Sequence, residues 1–358
     1  MPTQPALPPP LVPYLSSLSP SSLTLISSVL AATGNWLVLR YLHAALSSPS
    51  SSDADLKKRK VVLVSFLRGW EFWRTEAKRL EKAAERQIQE LTAEKGLDLA
   101  RLTDKREFAF IDGLSQLFST PAPERTVSST LPASVQSVRL SSRASLPIRP
   151  QPDAIPRQSN PIASNFNLSR ASTACKQLHF SGSNLTALDA LETDVASVIE
   201  SLRKPSMKDG EQVEDETEVL LVIDQPDLFL AATGPGKGLG ATEMGNWVMG
   251  LRQHAYATIL TLSADSPLIH ASTFDRQNAT PLETEHAAFA VGLSHQARIV
   301  MQLRNLETGA ASDVSGVLRV SKGGAWEGDE ISAEENLEKE VLYFVQRDGG
   351  VRVFGRGE

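Results

Sequence analysis

KVVLVSFLRGWEFWRTEAKRL, residues 60–80, decides the fold class. Its first half, Lys60–Leu67, is a nearly unbroken apolar run rich in β-branched residues, the mark of a strand covered on both faces. Its second half changes period. From Glu71 to Leu91, the residues Trp73, Ala77, Leu80, Ala84, Ile88 and Leu91 recur at spacings of three and four, the core-facing stripe of a charged helix. A buried strand running straight into an amphipathic helix is the building unit of a parallel sheet.

The same alternation extends in both directions. Leu23–Leu30 reads as a strand and Asn35–Leu46 as the helix after Gly34; Glu107–Asp112 reads as a third strand. A helix near Asn184–Leu202 precedes a strand at Val219–Asp224, and a helix near Thr242–His254 precedes one at Tyr256–Ser263. A last helix near Pro281–Leu293 leads to closely spaced strands at Ala297–Leu306, Val314–Ser321, Val341–Arg347 and Gly350–Phe354. This order predicts an α/β fold, a mostly parallel twisted sheet covered by helices on both faces, with antiparallel strands at the C-terminal end.

Three segments interrupt the pattern. Residues 120–173 hold eleven Ser and eight Pro with Phe166 as their only aromatic, a composition that cannot bury enough apolar surface to order itself. Residues 204–218 and 322–340 are acidic and Gly-punctuated, and read as surface insertions in one domain spanning 11–358. The chain carries 36 Lys and Arg against 42 Asp and Glu, a formal charge of −6, which argues against gripping nucleic acid by bulk charge. One cysteine, Cys175, rules out a disulfide framework and a Cys-rich zinc site. The N-terminus lacks a secretory pattern. The apolar stretch Leu23–Leu46 contains Arg40 and His43, costly at a bilayer centre, so no membrane span is expected.

Ligands of such sheets sit beyond the carboxyl ends of the strands, so the strand exits are the places to look for chemistry. At the first exit, Gly34 stands where the second glycine of a phosphate loop would be. Val29 replaces the first glycine, Asn35 the lysine and Trp36 the hydroxyl residue, leaving no ammonium for phosphate and no hydroxyl for Mg²⁺. Asp224 closes an apolar strand, as a Mg²⁺-holding carboxylate would, or as one that hydrogen-bonds its own turn. Gly236, Gly238 and Ala241 satisfy G-x-G-x-x-A, with Asp265 ending the next strand. Here Gln225–Leu230 separates the glycines from their strand, the wrong context for a dinucleotide site. None of the six histidines has metal-ligand spacing, and no nucleophile elbow is present. No metal and no cofactor are expected.

Phe108–Leu114 (FAFIDGL), Leu220–Asp224 with its Gly-rich loop and the closing strands resemble the RecA-like ATPase core. More specifically, GNWLVLRYLHAAL at 34–46, VVLVSFLRGWEFWRTEAKRL at 61–80 and GLDLARL at 96–102 resemble the Elongator subunit 6 family. The similarity runs from about residue 11 to the C-terminus. It implies a cytoplasmic and nuclear, non-catalytic subunit of a heterohexameric ring with Elongator subunits 4 and 5. That ring serves the core Elongator subunits by binding tRNA and supporting wobble-uridine (U34) modification. Any ATPase activity would then belong to the assembled ring. By position, loops carrying Lys237, His270 and Arg276 would face its tRNA channel; Gly34, Asn35 and Asp224 would be a degenerate nucleotide site. Two other readings stand beside this one. They are a RecA-like ATPase or recombinase paralogue with a degenerate loop, and a nicotinamide-dependent oxidoreductase using Gly236, Gly238 and Asp265.

Overall fold

A computed structural model describes residues 7–16, 18–47, 59–85, 97–119, 175–182, 185–204, 217–269, 279–306, 309, 311–326 and 338–355. Ten strands run through it: β1 (Leu23–Ser28), β2 (Lys60–Ser65), β3 (Phe108–Asp112), β4 (Cys175–Gln177), β5 (Val219–Asp224), β6 (Ala257–Ser263), β7 (Ile299–Arg304), β8 (Gly316–Lys322), β9 (Lys339–Val345) and β10 (Val351–Phe354). They form one sheet in the order β10-β9-β8-β7-β1-β6-β5-β2-β3-β4. All pairings from β7 to β4 are parallel. Those from β7 to β10 are antiparallel. The sheet is thus mostly parallel with an antiparallel C-terminal end.

Strand residues alternate between two apolar clusters, as the pleat requires. Ile26, Val61, Leu63, Phe108, Phe110, Leu220 and Val222 join one. It is covered by α1 (Val12–Ser16), α2 (Asn35–Leu46), α3 (Trp70–Glu85) and α4 (Leu99–Asp104). Leu25, Val62, Val64, Ile111, Leu221 and Ile223 join the other. Its cover is α5 (Leu185–Arg203), α6 (Pro226–Thr233), α7 (Ala241–Gln253) and α9 (Pro281–Gln296), with the short α8 (Ser266–Ile269) beside α9. The strands β1, β2, β3 and β5 are buried along almost their whole length, which is why they read as continuous apolar runs.

Several expectations change. Gln225–Leu230 is not a bare connection, because Pro226 opens α6 at the first helical position, where its missing N–H costs nothing. The ends of the 322–340 segment belong to β8 and β9 rather than to an insertion. Residues 120–173, most of 204–218 and 327–337 lie outside the described residues.

Topology places two special points on the carboxyl edge. From β2 the chain continues toward β3, whereas from β5 it continues through α6 and α7 toward β6. β2 and β5 are neighbours, so their exits diverge, and a diverging pair opens a crevice. The exit of β1, next to that of β6, lies on the same edge.

Candidate functional site

At the first exit the chain turns at once. Ala32 N–H donates to the Val29 carbonyl (2.9 Å) and Leu30 N–H to the Asp265 carboxylate (3.1 Å). The Thr33 hydroxyl donates to the Asn35 side-chain oxygen (2.7 Å). Gly34 caps α2 with φ −88°, an ordinary value that demands no glycine. Its lack of a side chain matters for packing: a Cβ there would sit 3.1 Å from Ile26 Cγ2 and 3.2 Å from Leu303 Cδ1. A phosphate cradle needs several free N–H groups turned toward one point. Here two of the loop's donors are spent internally. Trp36, in the position of the missing hydroxyl, is buried against Tyr343 with ring centroids 5.0 Å apart.

The diverging crevice holds Asp224, 1% exposed. In register, Ser65 of β2 lies between Asp112 of β3 and Asp224 of β5. The Asp224 carboxylate accepts from the Ser65 hydroxyl (2.7 Å), the Thr261 hydroxyl (3.0 Å) and the Arg68 guanidinium (3.0 Å). Arg68 reaches it from the turn before α3, where its guanidinium also lies over Phe72, 5.3 Å from the ring centre. Burial pushes the Asp224 carboxyl up, and Arg68 with the two hydroxyls opposes that rise. With two hydroxyls and a cation already on it, this carboxylate is committed to tying β2, β5 and β6 together. A metal would have to displace Arg68.

Asp112, the other strand-ending carboxylate, caps its own turn, accepting from Leu114 N–H and Ser115 N–H at 2.9 Å each. Beyond Asp224 the backbone is strained: Gln225 adopts φ 57°, ψ 54° while buried, a left-handed conformation uncommon outside glycine. Its N–H donates to the Thr261 hydroxyl (3.0 Å), and its side-chain carbonyl accepts from the Ser263 hydroxyl (2.9 Å). One turn on, Asp227 faces His286 of α9 at 3.4 Å, both buried. Among the described residues no group of three or more His, Cys, Asp or Glu side chains could hold a metal.

Lys237 lies in a 3-10 turn, Pro235–Lys237, between α6 and α7. It is exposed, and its ammonium sits 4.7 Å from the ring centre of Phe118, itself half exposed. His270 and Arg276 lie outside the described residues. The dinucleotide fingerprint finds no support in the geometry. The whole of α6 separates Gly236 from β5, a Cβ on Gly236 would meet nothing within 4 Å, and Asp265 is engaged by Leu30. Of the two fingerprint glycines, Gly238, at φ +72°, is the one whose backbone favours glycine.

The sequence reading missed Arg68, Ser65 and Thr261. They sit far from Asp224 in the chain, and the only available signal was a serine and an arginine following an apolar strand. Compared with known proteins, the chain matches no family model and no curated protein. No helix among the described residues is long and apolar enough to cross a membrane.

Proposed function

We propose that this chain is a non-catalytic, RecA-like assembly subunit of the Elongator subunit 6 type. In this reading it joins subunits 4 and 5 in a ring that binds tRNA for wobble-uridine modification, in cytoplasm and nucleus. The observation that carries the non-catalytic part is the state of Asp224. The carboxylate where a nucleotide site would hold Mg²⁺ is closed by Arg68, Ser65 and Thr261, and at the exit of β1 Asn35 and Trp36 stand where the lysine and the metal-binding hydroxyl would be. A mostly parallel sheet with an antiparallel C-terminal end supports the RecA-like part. The motifs at 34–46, 61–80 and 96–102 supply the link to Elongator.

Native mass spectrometry of the chain co-expressed with subunits 4 and 5 tests the assembly. The reading expects a heterohexamer with two copies of each; a chain that stays apart from both siblings overturns it. Micromolar ATP affinity of the unmixed protein would instead favour the degenerate-ATPase alternative.

A further inference from the structure

A pocket of about 260 Å³ opens between the start of α2, the middle of α3 and the β9–β10 hairpin. Ala31, Ala32, Thr33 and Asn35 of the turn after β1 form part of its lining, and the inference owes nothing to the Elongator reading. One of its walls is cationic. Arg40, on the second turn of α2, is only 4% exposed. Its Nη2 donates to the Gly349 carbonyl at 3.3 Å, while its Nε is buried with no partner.

An arginine withdrawn from water this far normally faces a carboxylate, because burying a lone charge is expensive. Among the described residues Arg40 forms no ion pair. Glu76 is, among the described residues, the only carboxylate lining the pocket, and it is taken by Arg79 at 2.8 Å. His43, one turn further along α2, adds no counter-charge; burial and the Arg40 cation hold its pKa down to about 4. Burial brings Arg40 itself down to about 10, still charged at neutral pH.

The rest of the pocket is built rather than accidental. Trp36, Leu39, Leu80 and Val345 supply apolar walls. Gly349, at φ +92°, lets the hairpin turn press on α3, where a Cβ would lie 3.2 Å from Arg79 Cβ. Gln346 N–H donates to the Gly350 carbonyl (2.8 Å) and fixes that turn. A pocket with apolar walls and a buried, uncompensated guanidinium suits one ligand chemistry, since guanidinium pairs with oxyanions through charge-assisted hydrogen bonds.

We propose that this pocket binds a small organic oxyanion, its apolar body against Trp36 and Leu80 and its carboxylate or phosphate on Arg40. The test titrates the full chain with benzoate and with phenyl phosphate, and with benzamide as the neutral control, following tryptophan fluorescence and thermal shift. One or both anions should bind saturably and at least tenfold more tightly than benzamide; which of them does so identifies the oxyanion. Arg40→Met, checked for folding by circular dichroism, should erase that preference. Glu76→Gln, which removes the one carboxylate among the described lining residues, should tighten anion binding severalfold and serves should Arg40→Met fail to fold. Equal affinity for all three probes, no saturable binding, an anion preference that survives Arg40→Met, or anion affinity unmoved by Glu76→Gln would each overturn the proposal. None of these outcomes bears on ring assembly, so this reading and the preceding one fail separately.

Discussion

Removing the cation from Asp224 is the sharpest probe of the closed crevice. Arg68→Leu leaves a carboxylate that is 1% exposed, with the Ser65 and Thr261 hydroxyls as its remaining donors. Breaking a buried pair from one side costs about 3–5 kcal/mol, mostly the penalty of the stranded charge. The two hydroxyls remain, and the carboxyl can take up a proton, so the lower end, about 3 kcal/mol at pH 7, is expected. For a chain of this size that corresponds to roughly 4–6 °C in Tm. The pH dependence has a definite sign. Without Arg68, burial raises the carboxyl further above its unfolded value, so the folded state binds more protons, and the deficit shrinks as pH falls from 7 toward 5. Urea unfolding followed by tryptophan fluorescence at both pH values measures this. The double variant Arg68→Leu/Asp224→Asn removes both charges and should cost clearly less than the sum of the single changes. A loss under 0.5 kcal/mol for Arg68→Leu, or additive single costs, would refute the claim that Asp224 is committed to this pair.

Three further expectations follow from neighbouring geometry. His43, depressed to about 4 by burial and by Arg40, is protonated more readily unfolded than folded; stability should fall as pH drops from about 6.5 to 4, by up to about 3 kcal/mol, and His43→Gln should flatten that acid limb. Asn35→Lys with Trp36→Ser restores the lysine and hydroxyl of a phosphate loop but leaves Val29 in place of its first glycine and removes a buried indole packed on Tyr343; it should cost about 3–5 kcal/mol and confer no ATP affinity by equilibrium dialysis. Lys237→Ala with Arg276→Ala should weaken tRNA binding by the assembled ring and flatten its salt slope, equally for different tRNAs; unchanged affinity and slope would make both residues solvated surface charges.

How far the sequence could be read depended on whether the deciding forces were local. The bounds of α2 (Asn35–Leu46) and β5 (Val219–Asp224) were legible to the residue, because Gly34 and the Asp224–Pro226 punctuation mark them in the chain itself. α6 was not, because a proline after Asp224 ends a strand as readily as it opens a helix. β4, three residues with no apolar alternation, exists only because β3 offers it an edge. The pairing of Arg68 with Asp224 joins two parts of the chain that only the sheet brings together. Arg40 was legible only as a charge that argues against a membrane span. Its burial beside an open pocket is a product of tertiary packing.

The position of β1 has a consequence in time. Leu23 pairs with Thr258 and Thr24 with Ile299, so β1, the earliest of the described strands, is synthesised long before either of its neighbours. At synthesis rates of about 5–20 residues per second, β1 waits roughly 15–55 s for β7. β2 and β3, adjacent in both chain and sheet, have no such delay. Through that interval Leu23, Leu25 and Ile26, all fully buried in the finished protein, are apolar strand residues with two open edges. Exposed strand edges of this kind are what chaperones shield and aggregates recruit, so the early life of this chain is governed by the protection of residues 23–28.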